Sequence, residues 1–139
     1  MEHRIGSHKI FIKNDTVLIT LIGNCDTAHI REIIALVEQT SNRWGRFFVL
    51  ADVSSFGQIT PEARRVAGEW SGIARAAGTV IIGASVMTRA IVILVSRAST
   101  LLSHTSKKGE LAFCANEQEA VAWLKTRGAA GAKDPSVSD

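Results

Sequence analysis

The sequence predicts an α/β fold: one domain in the order ββαβαβαβα, with a mostly parallel five-stranded sheet, an N-terminal hairpin and four helices. Two observations carry this. Short β-branched runs alternate with longer stretches of helical periodicity, as in TVIIGAS followed by MTRAIVILVSRASTLLS and ELAFCAN followed by EQEAVAWLKTRG. Strands separated by helices of that length need crossover connections and therefore pair in parallel. The length agrees, since 139 residues suffice for one domain with a sizeable core and are too few for two ordinary ones.

HKIFIKN alternates apolar Ile10 and Ile12 with polar neighbours, and TVLITLIG is almost continuously apolar or β-branched. Asn14 and Asp15 between them predict a tight turn and a hairpin over 8–23, with the first strand at the sheet edge. The next segment carries Ile30, Ile33, Ile34 and Val37 at helical spacing, with Asp26 placed to cap its start and Gly45 to end it. RFFVLADVS reads as a strand. A second helix runs from Pro61 to about residue 77, with Ala63, Val66, Ala67, Trp70, Ile73 and Ala77 on one face, weakened by Gly68 and Gly72.

In the third helix, 87–103, the residues Ala90, Ile91, Leu94, Ala98, Leu101 and Leu102 predict a core stripe. Val92, Ile93 and Val95 widen the apolar face beyond what one side of a sheet requires. Either this helix is deeply buried, or its extra face meets a partner, a second copy of the chain or a lipid-like ligand, with a homodimer favoured over a ligand. The last helix opens on Asn116 and Glu119, which read as a capping box. The domain is expected to span residues 1–128, and AAGAKDPSVSD from 129 to 139 is expected to be a disordered tail.

Composition excludes several function classes. The formal charge is only +3, with bases interspersed among acids, so no clustered basic face for nucleic acid is expected. The longest apolar run, AIVILV, lies between arginines and is far short of the roughly 20 residues a membrane span needs. Two cysteines far apart, with no CxxC and no signal-peptide pattern at the N-terminus, predict a cytoplasmic protein with reduced thiols.

In a sheet of this kind sites gather where strands end and helices begin, here at GNCDT, DVSSFGQITPE, GASVMT and CANEQE. The strand DVS, the helix start ITPEA, the turn GAS and the final NEQEAVAWL resemble the STAS domains of anti-sigma-factor antagonists, and more closely the SpoIIAA-like family with its Sec14 relationship, over residues 8 to about 127. The resemblance implies a compact regulatory or protein-binding module. In typical members a strand ending in Asp or Asn leads to Asp-Ser-Ser-Gly, whose second serine is phosphorylated. With Asp52 as the strand-end residue, Thr60, Pro61 and Glu62 fall on the Asp-Ser-Ser places, so that serine is missing.

Thr60 before Pro61 reads independently as a helix N-cap, with Glu62 a fixed negative charge in the first turn. The plain reading is a well-capped helix start. The sharper one is a module held in a phospho-like state, or one that has lost its kinase circuit, with Ser54 and Ser55 as remaining hydroxyls. Gly83 and Ser85, with Arg89 nearby, form a second corner able to hold an anion or a partner, although Ser85 reads first as an N-cap.

No enzyme is predicted. Cys25 and His29 are four apart and lack an evident acid partner beyond Asp26, while His3, His8 and His104 form no metal-binding spacing. No cofactor and no metal are expected. Two functions follow: a STAS-like signalling module that binds a protein partner through the corners around Ser54 to Glu62 and Gly83 to Arg89, or a carrier of a small apolar molecule. The carrier predicts an enclosed cavity of roughly several hundred Å³, lined by Trp70, Ile73, Ile91 and Val95.

Overall fold

The computed structural model describes residues 2–102 and 110–132. Six strands, β1 (Glu2–Ile5), β2 (His8–Lys13), β3 (Thr16–Cys25), β4 (Phe48–Ile59), β5 (Gly78–Ile82) and β6 (Leu111–Cys114), form one sheet in their sequence order. The first three are antiparallel and the last four run parallel. One strand more than expected is present: β1 pairs with β2 and takes over the sheet edge from it. Asn14 adopts φ 54° in the turn between β2 and β3, a conformation asparagine tolerates better than most residues.

Because the parallel strands step one position at a time in a single direction, crossovers of one hand place their helices on one face. That face carries α1 (Thr27–Trp44), α2 (Pro61–Glu69), α3 (Gly72–Arg75) and α4 (Val86–Leu102), around a core that includes Ile10, Val17, Ile33, Val37, Phe47 and Ile81. α5 (Glu117–Thr126) covers the opposite face, where Ala120 and Leu124 pack with Phe48, Leu50, Val80 and Ile82.

Both caps of α1 form as the sequence suggests. Asp26 accepts the His29 amide at 2.9 Å, and Gly45 closes the helix at φ 73°. The capping box lies here and not at α5, because the His29 imidazole Nδ1 returns to accept the Asp26 amide at 3.3 Å. At α5 Asn116 does accept the Glu119 amide at 2.9 Å, but the Glu119 carboxylate meets the Asn116 side-chain amide and not its backbone.

Three further expectations are corrected. The second helix breaks at Trp70, whose backbone is extended (φ −83°, ψ 130°), leaving α2 and the one-turn α3. The indole lies where a Cβ on Gly72 would stand, so the glycine makes room for the break. Ser99 of α4 fastens it, its hydroxyl donating to the Trp70 carbonyl at 2.7 Å and accepting the Ala74 amide at 3.3 Å. β4 runs on through Ile59, so the expected loop is largely strand. Finally, 129–132 is not a loose tail: Ala129 is buried, 130–132 form a 3-10 turn, and the Gly131 amide donates to Asp15 Oδ1 at 3.0 Å. The rest of the expected tail lies outside the described residues.

Candidate functional site

α4 is turned relative to its expected stripe. Val95 and Ser99 are buried and Ile91 and Val92 half-buried, whereas Ala90, Leu94 and Leu101 face outward. The inner face is filled by Ile91, Val92 and Val95, and Ser99 joins it with both hydroxyl bonds made to the α2–α3 break. Leu94 is 63% exposed and Leu101 85%, and with Val86 and Met87 they leave a large outer apolar face that also carries Arg89 and Arg97.

Beneath the inner face of α4 lies a partly open cavity of about 180 Å³ with a wholly apolar wall. Its floor is the sheet at Ile19, Ala51 and Ile81, with Phe47 and Thr79 toward the start of the parallel strands. Trp70, Ile73, Ile91 and Val95 all line it. The four positions expected to share a pocket are therefore brought together, although the cavity is smaller than anticipated and not sealed. Trp70 is held at its wall by its indole N–H, which donates to Glu38 Oε1 at 2.8 Å, and the same oxygen receives Arg75.

The two corners behave differently. Asp52 Oδ1 accepts both the amide and the hydroxyl of Ser54, at 3.0 and 2.6 Å. Gly83, at φ 73°, lies so close that an added Cβ would stand 2.7 Å from Ser54 Cβ, so Asp52, Ser54 and Gly83 form one corner. Ser85 Oγ accepts the Thr88 amide at 3.1 Å, which is the expected cap. Arg89 lies over Phe113, 5.0 Å from the ring centre.

Thr60 and Glu62 lie at the far end of β4, roughly 20 Å along the strand from Asp52. The strand, not a folded loop, keeps them apart. Thr60 Oγ1 accepts the Ala63 amide at 3.1 Å, and exposed Glu62 pairs with Arg65 at 3.9 Å. Ser55 is exposed on β4 opposite Ile22 of β3.

A third grouping went unnoticed in the sequence. His8, Cys25 and His29, from β2, β3 and the first turn of α1, offer ligand atoms that all lie within 4.8 Å of one another. Their hydrogen bonds do not fit a metal. His8 Nδ1 accepts the Ile22 amide at 3.0 Å and His29 Nδ1 accepts the Asp26 amide, so in each neutral ring the proton sits on Nε2. A metal on Nε2 would drive that proton to Nδ1, against a backbone donor. Burial, assisted by Asp26, pushes the Cys25 thiol up to about 11, the reverse of an activated nucleophile. Only spacing in the fold reveals this group, because His8 is 17 residues from Cys25 in the chain.

With this geometry in view, comparison with known proteins places the fold. The chain has a SpoIIAA-like, STAS-type fold. The unphosphorylated form of the anti-sigma factor antagonist SpoIIAA superposes with a TM-score of 0.54 at 15% identity, covering 85% of this chain and 97% of that one. An uncharacterized DUF3478-family protein with a SpoIIAA-like fold from Shewanella loihica PV-4 superposes with a TM-score of 0.55, also at 15% identity, covering 89% of this chain and 90% of that one. The sequence matches no family model and no curated protein. Among the described residues no helix is long and apolar enough to cross a membrane.

Proposed function

We propose that this STAS-type domain is a binding module, without catalytic activity, for a small apolar molecule held between the sheet and helices α1 to α4. One observation carries the reading: an apolar cavity of about 180 Å³ where a tightly packed core would otherwise lie. Protein interiors are normally filled to crystal-like density, and an apolar cavity of about 150 Å³ is enough to stay dry and bind benzene. The cavity has no charged side chain in its wall, so its affinity would come from apolar burial.

A competing switch role gains little support from the corners. Ser54 already donates to Asp52, so a phosphate there would sit beside a carboxylate, and Thr60 Oγ1 is engaged as a cap. The test of the cavity reading is to fill it. Ala51→Leu extends a floor residue into the space, and calorimetric titration with cyclohexane should show binding to the parent protein and none to the variant. Failure of the parent to bind cyclohexane or comparably small hydrocarbons would remove this reading.

A protein partner is the second reading, favoured by the exposed Val86, Met87, Leu94 and Leu101 on α4, with a second copy of the chain as occupant. Sedimentation at about 100 μM should then give a dimer that Leu94→Glu dissociates. A parent protein that sediments as a monomer there would exclude the homodimer.

A further inference from the structure

The cavity has one irregularity. Thr79 lines it and is 5% exposed, yet its hydroxyl oxygen has no hydrogen-bond partner, the only such buried side-chain atom among the described residues. Its backbone is fully committed, paired with β4 and β6 and donating to the Glu110 carbonyl at 2.8 Å. The other hydroxyl in the lining, that of Thr88, is bonded to Ser85. A buried hydroxyl without a partner is destabilising, and proteins normally avoid it. Valine, which has the same shape, would fill the position without that cost.

We infer that Thr79 is the polar anchor of the cavity, and that the ligand is a neutral amphiphile: an apolar body of about six to eight carbons bearing one hydroxyl or carbonyl oxygen. This rests on the cavity being the binding site. The surface of the cavity is formed by apolar atoms, so the Thr79 hydroxyl oxygen, though buried in its lining, is not presented to it. A χ1 step of about 120° moves Oγ1 to the place of the methyl or of the Cβ hydrogen, and so can turn it toward the cavity without moving the backbone. A hydroxyl can both donate and accept, which suits an alcohol or a carbonyl equally.

Charge restricts the ligand further. No lysine, arginine or histidine lines the cavity, so an ionised carboxylate there would be desolvated with no counter-charge. The anchor therefore selects alcohols, aldehydes or ketones over fatty-acid anions.

The experiment titrates 1-hexanol, hexane and hexanoate at pH 8 into the parent protein and into Thr79→Val. A net hydrogen bond of about 0.5–1.5 kcal/mol corresponds to roughly 2- to 13-fold in affinity. Thr79→Val should weaken 1-hexanol by that factor and leave hexane unchanged or tighter. Hexanoate should bind the parent at least about 10-fold more weakly than 1-hexanol. In the parent alone, three-bond couplings to the Thr79 methyl should report a χ1 change on adding 1-hexanol and none with hexane. If hexane and 1-hexanol bind but Thr79→Val affects both alike and χ1 does not move, the anchor is wrong and the cavity reading stands. Equal binding of hexanoate and 1-hexanol overturns the selection for neutral ligands. If no probe binds, the cavity reading falls and the anchor with it.

Discussion

The imidazole of His8 stands in for a strand residue beside Ile22: its Nδ1 accepts the Ile22 amide at 3.0 Å, while its Nε2 lies 3.1 Å from the Asn24 carbonyl. β2 stops pairing with β3 at Lys9 and Thr20, so the end of β3 has no strand on that side. A fully buried side chain fills the gap, and it does so only as a neutral ring, since Ile22 needs a lone pair at Nδ1.

Acid should therefore loosen the fold through His8. Burial first, and the neighbouring His29 second, hold its pKa below the ordinary 6.5, against weaker opposing effects of the Asn24 carbonyl and Asp26. The unfolded chain then takes up the proton before the folded one does. Stability is full above about pH 6.5 and falls as the pH drops through the folded value. Denaturant midpoints measured from pH 8 to 5 should show this decline. His8→Phe should be less stable at pH 8 by about 1–3 kcal/mol, through unpaired backbone groups, and should have a shallower pH slope. An identical slope in the variant would assign the decline to another group.

Asp15 fastens the C-terminal segment to the sheet. Its buried carboxylate accepts Arg46 Nε at 3.0 Å, the Thr16 hydroxyl at 3.1 Å and the Gly131 amide at 3.0 Å, and Arg46 also donates to the Gly128 carbonyl at 2.9 Å. Asp15→Ala should cost about 2–3 kcal/mol and raise hydrogen exchange at Gly131. Unchanged exchange there would mean that burial of Ala129 alone holds the segment.

Thr60→Ala removes the cap of α2, whose other supports, Pro61 at the first position and Glu62 in the first turn, remain. The expected loss is about 1 kcal/mol. Thr60→Asp should retain most of the stability, and a denaturation midpoint unchanged in Thr60→Ala would show that the cap contributes nothing.

Cys25 should be a slow thiol. With its pKa near 11, alkylation by iodoacetamide at pH 8 is expected to be at least about 100-fold slower than for free cysteine. Burial and a nearby carboxylate also raise the Cys114 thiol. Rapid loss of Cys25 in the folded protein would show that the β3–α1 corner opens.

What could be read directly from residues is the part governed by local rules. Asp26, Gly45, Thr60 and Asn116 announce helix ends because each supplies a hydrogen-bond acceptor or a left-handed backbone to its own neighbours. The wrong stripe on α4 has the opposite cause. Hydropathy ranks Leu94 above Ser99, and nothing local reveals that Ser99 will find the Trp70 carbonyl and the Ala74 amide.

The sequence by itself determined the α/β class, most helix starts and a largely parallel sheet, because alternation and capping act within a few residues. Tertiary structure alone decided the strand order, the burial of His8 and the position of Thr79. Each depends on groups distant in the chain: Ile22 and Asn24 for the imidazole, and for the threonine hydroxyl a cavity assembled from the sheet and four helices. Whether a polar atom finds a partner is settled by packing, and at Thr79 the packing leaves it without one.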